Sequence, residues 1–300
     1  MIRSLAFLVL LLAWCPALRA AEPPPVTRTE VIYGRKFGTA LTFDIVRPEK
    51  PNGYGILFMV SGGFFSSHEA IDGSLRGGLL TPFLERGYTV FAIVHGSQPR
   101  FIIPEIEVDV HRAVRFIRSH AAEYGVRPDR FGVTGASAGG HLSLTLGTQG
   151  GAGPADAKDP IDRESSAVQA VACFFPPTDF LNWREEGDDA VGVGVLKDFK
   201  PAFGPRSDTA ESRAVYGKEI SPIQFIKPGM PPTLIIHGDA DKLVPIYQAE
   251  KFLKKTQEVG VKAPVKVLRK EGKDHGWQNM APDIAVTADW FDEHLRGVKP

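Results

Sequence analysis

The sequence predicts an α/β fold in which a mostly parallel central sheet carries helices on both faces. Three observations predict it: short apolar runs alternate with helical patterns, most of these runs lack the polar alternation of a half-exposed strand, and residues rich in Gly and Pro separate them. A continuous apolar run is typical of a strand covered on both faces. Strands that alternate with helices along the chain are typical of a parallel sheet.

Eight strands are predicted, the first two from β-like stretches and the other six from apolar runs. They cover residues 29–33, 41–46, 55–60, 88–94, 130–134, 168–175, 233–236 and 265–268. Helices are predicted over residues 108–124, 245–259 and 282–295, and a further helix is predicted to begin near residue 138. Residues 176–232 are poorly periodic and are predicted to form a cap-like insertion within a single domain over residues 29–300.

The composition is that of an ordinary globular protein and excludes several classes. Of the 300 residues 43% are hydrophobic and 23% are charged, which excludes disorder of the whole chain. Thirty-five Lys and Arg balance 35 Asp and Glu, so we expect no nucleic-acid partner. Cys15 and Cys173 are too few for a disulfide scaffold or a Cys-rich metal site.

Residues 1–20 have the pattern of a secretory signal peptide. Arg3 makes the N-terminal region positively charged, and an apolar run follows over residues 5–14. Cleavage is expected at the small residues near Ala20. The apolar run is shorter than the roughly 20 residues that span a bilayer. We therefore expect a secreted or periplasmic protein without a membrane span in the mature chain.

Two other interpretations of this N-terminal segment were considered. An uncleaved N-terminal anchor stays open, whereas lipid attachment at Cys15 is disfavoured because the bulky Trp14 precedes it. Residues 21–28 are rich in Pro and are predicted to be a linker.

The strongest functional signal is the sequence Gly135-Ala136-Ser137-Ala138-Gly139. It follows a predicted strand and precedes a predicted helix, which is the context that the G-x-S-x-G pattern requires. There the serine occupies a strained turn that pushes its hydroxyl out of the sheet, and glycines let the backbone close around it. Ser137 is therefore predicted to be a nucleophile. The alternative is a turn of small residues that serves close packing alone.

A serine nucleophile needs a base, which is a histidine oriented by a carboxylate in the common arrangement. His275 is the best of the eight histidines, because it lies in a loop with glycines on both sides, between the last predicted strand and the last helix. His141 follows Ser137 by one helical turn and is predicted to pack beneath it, and His237 is predicted to be a strand-end residue whose hydrogen bonds are satisfied.

The acid is expected after a strand, between the serine and the histidine in chain order. Asp239 and Asp241 both follow the strand at residues 233–236. Asp239 comes directly after Gly238, where an aspartate usually caps its own turn. Asp241 is therefore the favoured acid, and Asp239 is the competitor.

The remaining requirement is a set of N–H donors for the negative oxygen that develops in acyl transfer. Ser61-Gly62-Gly63-Phe64 follows a buried strand, and its glycines leave backbone N–H groups free. Ala138 is predicted to supply one donor, and Gly63 or Phe64 the other.

Four aromatic residues are candidates for a substrate pocket because they lie near the predicted site along the chain. They are Phe65, Phe180, Trp183 and Trp277. Large aromatic side chains are equally good core residues, so a structural role stays open for each of them.

These motifs resemble the α/β-hydrolase superfamily. The stretch over residues 129–142 is similar to the serine turn of bacterial feruloyl and acetyl esterases, and residues 237–245 are similar to an acid loop shared with the prolyl-oligopeptidase catalytic domain. In that loop the second aspartate is the triad acid, which supports Asp241. The chain departs from the family at Ser61, where these esterases usually have the histidine of a His-Gly-Gly-Gly sequence.

The resemblance implies hydrolysis of a carboxylic ester through an acyl-enzyme, without a metal or organic cofactor. The expected substrate is a small-molecule or oligosaccharide ester, such as an acylated saccharide. A peptidase of the prolyl-oligopeptidase type and a non-catalytic binding module are the alternatives. A metal site around His68, Glu69 and Asp72 is disfavoured because no further ligand lies near them in the sequence.

Overall fold

The computed structural model describes residues 26–299, which are built around one eight-stranded sheet. The strands are β1 (Val26–Lys36), β2 (Thr39–Pro48), β3 (Gly55–Met59), β4 (Thr89–Val94), β5 (Phe131–Ala136), β6 (Ala170–Phe174), β7 (Thr233–Gly238) and β8 (Val265–Lys270). They lie in the order β1-β2-β4-β3-β5-β6-β7-β8. The pairs β1–β2 and β2–β4 are antiparallel and the other pairs are parallel, which confirms the predicted sheet.

Helices connect the strands and cover both faces of the sheet. Within the described residues the α-helices are α1 (His68–Arg76), α2 (Thr81–Glu85), α3 (Ile103–Ser119), α4 (Ala121–Tyr124), α5 (Ala138–Gln149), α6 (Pro160–Arg163), α7 (Lys200–Phe203), α8 (Ala210–Glu219), α9 (Tyr247–Val259) and α10 (Ala281–Phe291). One π-helical turn, Asp292–Arg296, continues α10.

Two element boundaries differ clearly from the prediction. The first strand begins at Val26 instead of residue 29, so the end of the predicted linker is paired with β2. Helix α3 begins at Ile103 instead of residue 108, because the Glu105 side chain accepts a hydrogen bond from the Ile102 N–H (2.9 Å) and closes the first turn.

The predicted signal peptide, residues 1–20, and the start of the predicted linker, residues 21–25, lie outside the described residues. Over residues 26–299, none of the helices combines the length and the apolar character that crossing a bilayer requires.

Two apolar cores cover the two faces of the sheet. One includes Val110 of α3, Leu142 of α5 and Phe252 of α9, and the other includes Phe83 of α2 and Phe291 of α10. The central strands β3 and β5 are therefore covered on both sides, as their continuous apolar sequences predict. Their carboxyl ends are held in place by this packing, which positions the loops that follow them.

The predicted insertion, residues 176–232, is packed against the sheet. It contains α7, α8 and three 3₁₀ turns, which are Gly194–Phe199, Pro205–Ser207 and Pro222–Phe225. Its largest aromatic side chains are buried in the first of the two cores; they are Phe180, Trp183, Phe203 and Tyr216. Through them the insertion shares its apolar core with the rest of the chain.

Candidate active site

Ser137 lies on a sharp turn between β5 and α5. Its backbone has φ 55° and ψ −119°, a left-handed conformation that costs on the order of 1 kcal/mol or more for a residue with a side chain. The turn closes because position 135 is glycine: a Cβ there would lie 2.5 Å from the Gly139 carbonyl oxygen. The turn is held by the Ser137 N–H, which donates to the Phe174 carbonyl (3.0 Å).

Three side chains from separate strand ends meet at this turn. Ser137 Oγ lies 2.9 Å from His275 Nε2, and His275 Nδ1 lies 2.8 Å from Asp241 Oδ2. Because an ionised carboxylate only accepts hydrogen bonds, Nδ1 carries the ring hydrogen and Nε2 is free to accept the Ser137 proton. The structure thus places the predicted nucleophile, base and acid in one hydrogen-bonded line.

The Asp241 carboxyl is buried among hydrogen-bond donors. Its Oδ1 accepts from the N–H groups of Leu243 (2.9 Å) and Val244 (2.8 Å). Burial works against a charge here, but hydrogen bonds from His237 and His275 outweigh it and hold the pKa of Asp241 well below its usual range. The carboxylate therefore stays ionised at neutral pH and can stabilise a positive charge on the His275 ring.

The competing acid has a different partner. Asp239 Oδ1 accepts from the N–H of Gly272 (2.7 Å), in the loop that leads to His275. It ties that loop to the end of β7, instead of capping its own turn as the sequence suggested. The reason is that the His275 loop folds back across this strand end, and chain spacing does not show such a contact.

Two other histidines occupy structural positions. His237 is buried at the end of β7, and its Nε2 donates to the Val244 carbonyl oxygen (2.7 Å). Among the described residues its Nδ1 has no hydrogen-bond partner, so the ring is satisfied only in part. His141 is also buried, beneath the Ser137 turn, with its Nε2 3.3 Å from Glu107 Oε1.

Residues 61–65, here called the donor turn, follow β3. Gly62 and Phe65 pair through two backbone hydrogen bonds of 3.0 and 2.9 Å. This pairing places Gly63 and Phe64 in the left-handed region, at φ 54° and 66°. A phenylalanine rarely adopts that conformation, so the turn must be fixed by contacts around it.

Three residues that line the same cavity as Ser137 have backbone N–H groups without an acceptor in the described part of the chain. Within residues 26–299, the N–H groups of Gly63, Phe64 and Ala138 have no acceptor in the protein. All three residues line a cavity of about 30 Å³ together with Ser137. They are the predicted oxyanion donors, and the structure leaves Gly63 and Phe64 both available.

Residues 95–98, here called the β4 loop, hold the middle of the donor turn, a role that the sequence analysis missed. The Gln98 side chain donates through Nε2 to the Gly63 carbonyl oxygen (2.7 Å). The Gln98 backbone N–H donates to the Phe64 carbonyl oxygen (3.2 Å). The sequence contains one indication of this role, because residues 95–98 directly follow the buried strand β4 and include polar side chains. The structure shows that β4 pairs with β3.

The start of the donor turn is held by a histidine from the same loop. His95 Nε2 lies 2.9 Å from Ser61 Oγ, and His95 Nδ1 lies 2.8 Å from the Gly96 carbonyl oxygen. Burial lowers the pKa of His95 to about 4, so its ring is neutral at pH 7. Nδ1 therefore donates to the carbonyl, and Nε2 accepts from the Ser61 hydroxyl.

Two of the four predicted pocket aromatics lie beside Ser137. Phe180 and Trp183 line the small cavity together with two further rings of the insertion, Phe199 and Phe203. The insertion therefore closes one side of the candidate site.

The pocket role predicted for Phe65 and Trp277 needs correction. Phe65 is 54% exposed, because the paired ends of the donor turn direct its ring into solvent. Trp277 packs against Phe174, and its Nε1 donates to Asp283 Oδ2 (2.8 Å). Neither ring lines the cavity beside Ser137.

A cluster of acidic residues surrounds His68, the residue of the disfavoured metal site. Ligand atoms of Glu30, Asp44 and His68 lie within 4.8 Å of one another. The Arg28 guanidinium donates to both Asp44 and Asp72, so a fixed positive charge already lies in the cluster. That charge opposes a divalent cation, and these residues do not fit one.

A family model and several curated proteins match this chain. The family model, described as BD-FAE, matches residues 43–256, which include Ser137 and Asp241 and end before His275. The probable carboxylic ester hydrolase LipM of Mycobacterium tuberculosis is 30% identical over 244 residues, or 79% of this chain and 53% of LipM. Esterase LipQ of the same organism is 29% identical over 61% of this chain and 41% of LipQ. The chain spans about half the length of these curated relatives.

Solved structures give the same fold. A truncated form of a carbohydrate esterase from gut microbiota has a TM-score of 0.75 and 25% identity, covering 92% of this chain and all of that one. A thermophilic esterase from Thermogutta terrifontis has a TM-score of 0.67 and 22% identity, covering 93% and 94% of the two chains. At that identity the second likeness shows the fold alone. The α/β-hydrolase fold is thus confirmed, and because the family model matches most of its length, the chain belongs to the BD-FAE family.

Proposed function

We propose that this chain is a carboxylic ester hydrolase that works through an acyl-enzyme on Ser137. The observation that carries the proposal is the continuous line from Ser137 through His275 to Asp241, with distances of 2.9 and 2.8 Å. It lies beside free backbone N–H groups, and the chain's similarity to proteins named as esterases supports the reaction class.

In the first half of the reaction, Ser137 Oγ attacks the ester carbonyl carbon while its proton moves to His275 Nε2. The carbonyl oxygen becomes negative and accepts hydrogen bonds from Ala138 and from Gly63 or Phe64. The intermediate then collapses: the bond to the alcohol oxygen breaks, and His275 returns the proton to that oxygen. Asp241 stabilises the transient imidazolium without becoming protonated.

In the second half, a water molecule takes the place of the alcohol. It loses a proton to His275 Nε2 and attacks the acyl carbon, and a second intermediate forms at the same N–H donors. The bond to Ser137 Oγ then breaks, the serine recovers its proton from His275, and the carboxylic acid leaves. Two half-reactions therefore reuse the same three side chains.

The small cavity supports a short acyl group. Its volume of about 30 Å³ is far below the several hundred Å³ of a pocket that holds a drug-sized ligand, so it suits a short acyl group. The rings of Phe199 and Phe203 close it. The alcohol portion of the ester is proposed to be a saccharide, which the chain's similarity to a carbohydrate esterase supports.

We also propose that the mature protein acts outside the cytoplasm. The proposal rests on the positive start, short apolar run and small residues of positions 1–20. It is compatible with Cys173, which is buried in the structure and thus shielded from oxidants.

Ser137→Ala should lower kcat for p-nitrophenyl acetate by about 10⁴-fold or more, because it removes the attacking oxygen. Ser143→Ala is the matched control: it removes a hydroxyl from the same helix, one that donates to the Gly139 carbonyl (2.7 Å). This control should keep kcat within a few-fold of the wild type. Turnover by Ser137→Ala near the wild-type rate would reject the proposed nucleophile.

Asp241→Asn should lower kcat by about 10³- to 10⁴-fold, because an amide no longer fixes the tautomer and charge of His275. Asp239→Asn changes a carboxylate two residues away that bonds to Gly272, and it should cost less than about tenfold. Both variants are compared with the wild type under the same assay. The opposite ranking would assign the acid role to Asp239.

The wild type should prefer p-nitrophenyl acetate to the octanoate ester, by about tenfold or more in kcat/KM, because the acyl cavity is small. Phe199→Ala should reduce this preference by opening the wall above Gly63, whereas Phe37→Ala, at a residue 74% exposed, should not. A wild-type preference for octanoate would contradict the assignment and would favour a second, apolar cavity of about 250 Å³ lined by Phe58, Phe83 and Met280. The same variants can then be compared on acetylated and feruloylated sugars.

Expression of the full chain in a Gram-negative host should yield a periplasmic or secreted protein whose N-terminus lies near Ala21 or Glu22. N-terminal sequencing of the fractionated protein measures this. Replacing the apolar residues 5–14 by polar residues should keep the protein in the cytoplasm. Full-length protein in the membrane fraction would favour the uncleaved anchor instead.

A further inference from the structure

We propose that Gln98 is a positioning residue that aims the N–H group of Phe64 at the developing oxyanion. The inference rests on the proposed ester hydrolysis and deepens it. Ser61 stands where similar esterases usually have a histidine, and two later residues of the turn, Gly63 and Phe64, have left-handed backbone conformations that must be held by their surroundings. Another group must therefore hold the donor turn in its strained conformation.

The geometry of a single peptide unit assigns this role to Gln98. The carbonyl of Gly63 and the N–H of Phe64 belong to the same planar trans peptide, so they point to opposite sides of it. Gln98 Nε2 donates to that carbonyl at 2.7 Å. Fixing the carbonyl on the side of the β4 loop therefore turns the Phe64 N–H away from the loop, toward the cavity that contains Ser137.

The surroundings of Gln98 make the contact specific. The residue is only 5% exposed, so its amide is held in one place by packing. A carbonyl oxygen only accepts hydrogen bonds, which fixes the Gln98 amide nitrogen toward Gly63. Its backbone N–H holds the next carbonyl, that of Phe64, at 3.2 Å.

The other contacts between the two loops hold the flanks of the donor turn. His95 bonds to Ser61 (2.9 Å), and the Ser97 hydroxyl bonds to both the N–H and the carbonyl of Ser66 (2.9 and 3.1 Å). Among the described residues, Gln98 is the one whose side chain donates to a carbonyl in the middle of the turn. It therefore controls the direction of the Phe64 N–H, whereas the other contacts fix where the turn lies.

The test is Gln98→Glu, which keeps the size and shape of the side chain. At pH 8 the introduced carboxylate would face the Gly63 carbonyl with no hydrogen to donate, so the peptide should rotate and kcat for p-nitrophenyl acetate should fall by about tenfold or more. KM should change less than kcat, because the oxyanion exists only in the transition state and intermediate.

Lowering the pH should partly rescue this variant. A protonated carboxyl donates a hydrogen bond again, and burial raises the pKa of the introduced group above its usual value. The ratio of variant to wild-type kcat should therefore rise as the pH falls from 8 to 5. Taking the ratio removes any pH dependence that both enzymes share.

Two control variants and thermal melts distinguish a loss of kcat caused by the misdirected N–H group from a loss caused by unfolding or by the added charge. Gln257→Glu adds the same charge at an exposed residue of α9 and should give a ratio near one at every pH. Gln98→Met lacks both donor and charge, so its kcat should be low across the pH range with no rescue. Thermal melts of each variant at each pH show whether activity merely follows the folded fraction.

Three results would overturn the inference: a Gln98→Glu variant as active as the wild type at pH 8, a loss that is the same at every pH, or a loss that follows the melting curve. All three presuppose an active wild-type enzyme. A wild type without esterase activity, or an active Ser137→Ala variant, would instead reject the proposed function, so the two failures are distinguishable.

Discussion

The close approach of α5 to the ends of β5 and β3 is the constraint on which the candidate site depends. A side chain at position 139 would lie 2.6 Å from the Met59 carbonyl oxygen, so helix and strand can meet only at a glycine. The contact lets the Gly139 N–H donate to the Ser61 carbonyl (3.2 Å), which joins the serine turn to the donor turn. One backbone contact thus fixes the nucleophile relative to the N–H groups that would serve it.

The parallel sheet explains how distant residues meet. Ser137 and His275 are 138 positions apart, yet they follow β5 and β8 at the same edge of the sheet. Asp241 follows β7, and the donor turn and the β4 loop follow the neighbouring strands β3 and β4. Each parallel crossover returns the chain to this edge, so five loops converge there.

The sequence predicts the features that have strong local signals. β-like stretches and apolar runs together predicted all eight strands. The pattern around Ser137, the loop at Asp241 and the glycine-flanked His275 predicted the three side chains that the structure brings into one hydrogen-bonded line. The features that the sequence did not predict depend on the direction in which a side chain points or on the order of the strands in the sheet. Nothing in the spacing shows that the donor turn directs Phe65 into solvent, and the roles of His95 and Gln98 appear only once β4 is known to lie beside β3.

The departure at Ser61 shows which property of this turn is physically required. Oxyanion stabilisation needs N–H groups in a fixed direction, and in a planar peptide that direction is set by whatever binds the carbonyl on the opposite side. A histidine at the start of the turn is one way to fix it. Here the hydrogen bonds from Gln98 to two successive carbonyls, with a neutral His95 at Ser61, meet the same requirement from the neighbouring loop. A histidine at position 61 is therefore not required, because Ser61 bonds to His95 and the carbonyls of the turn have their own partners.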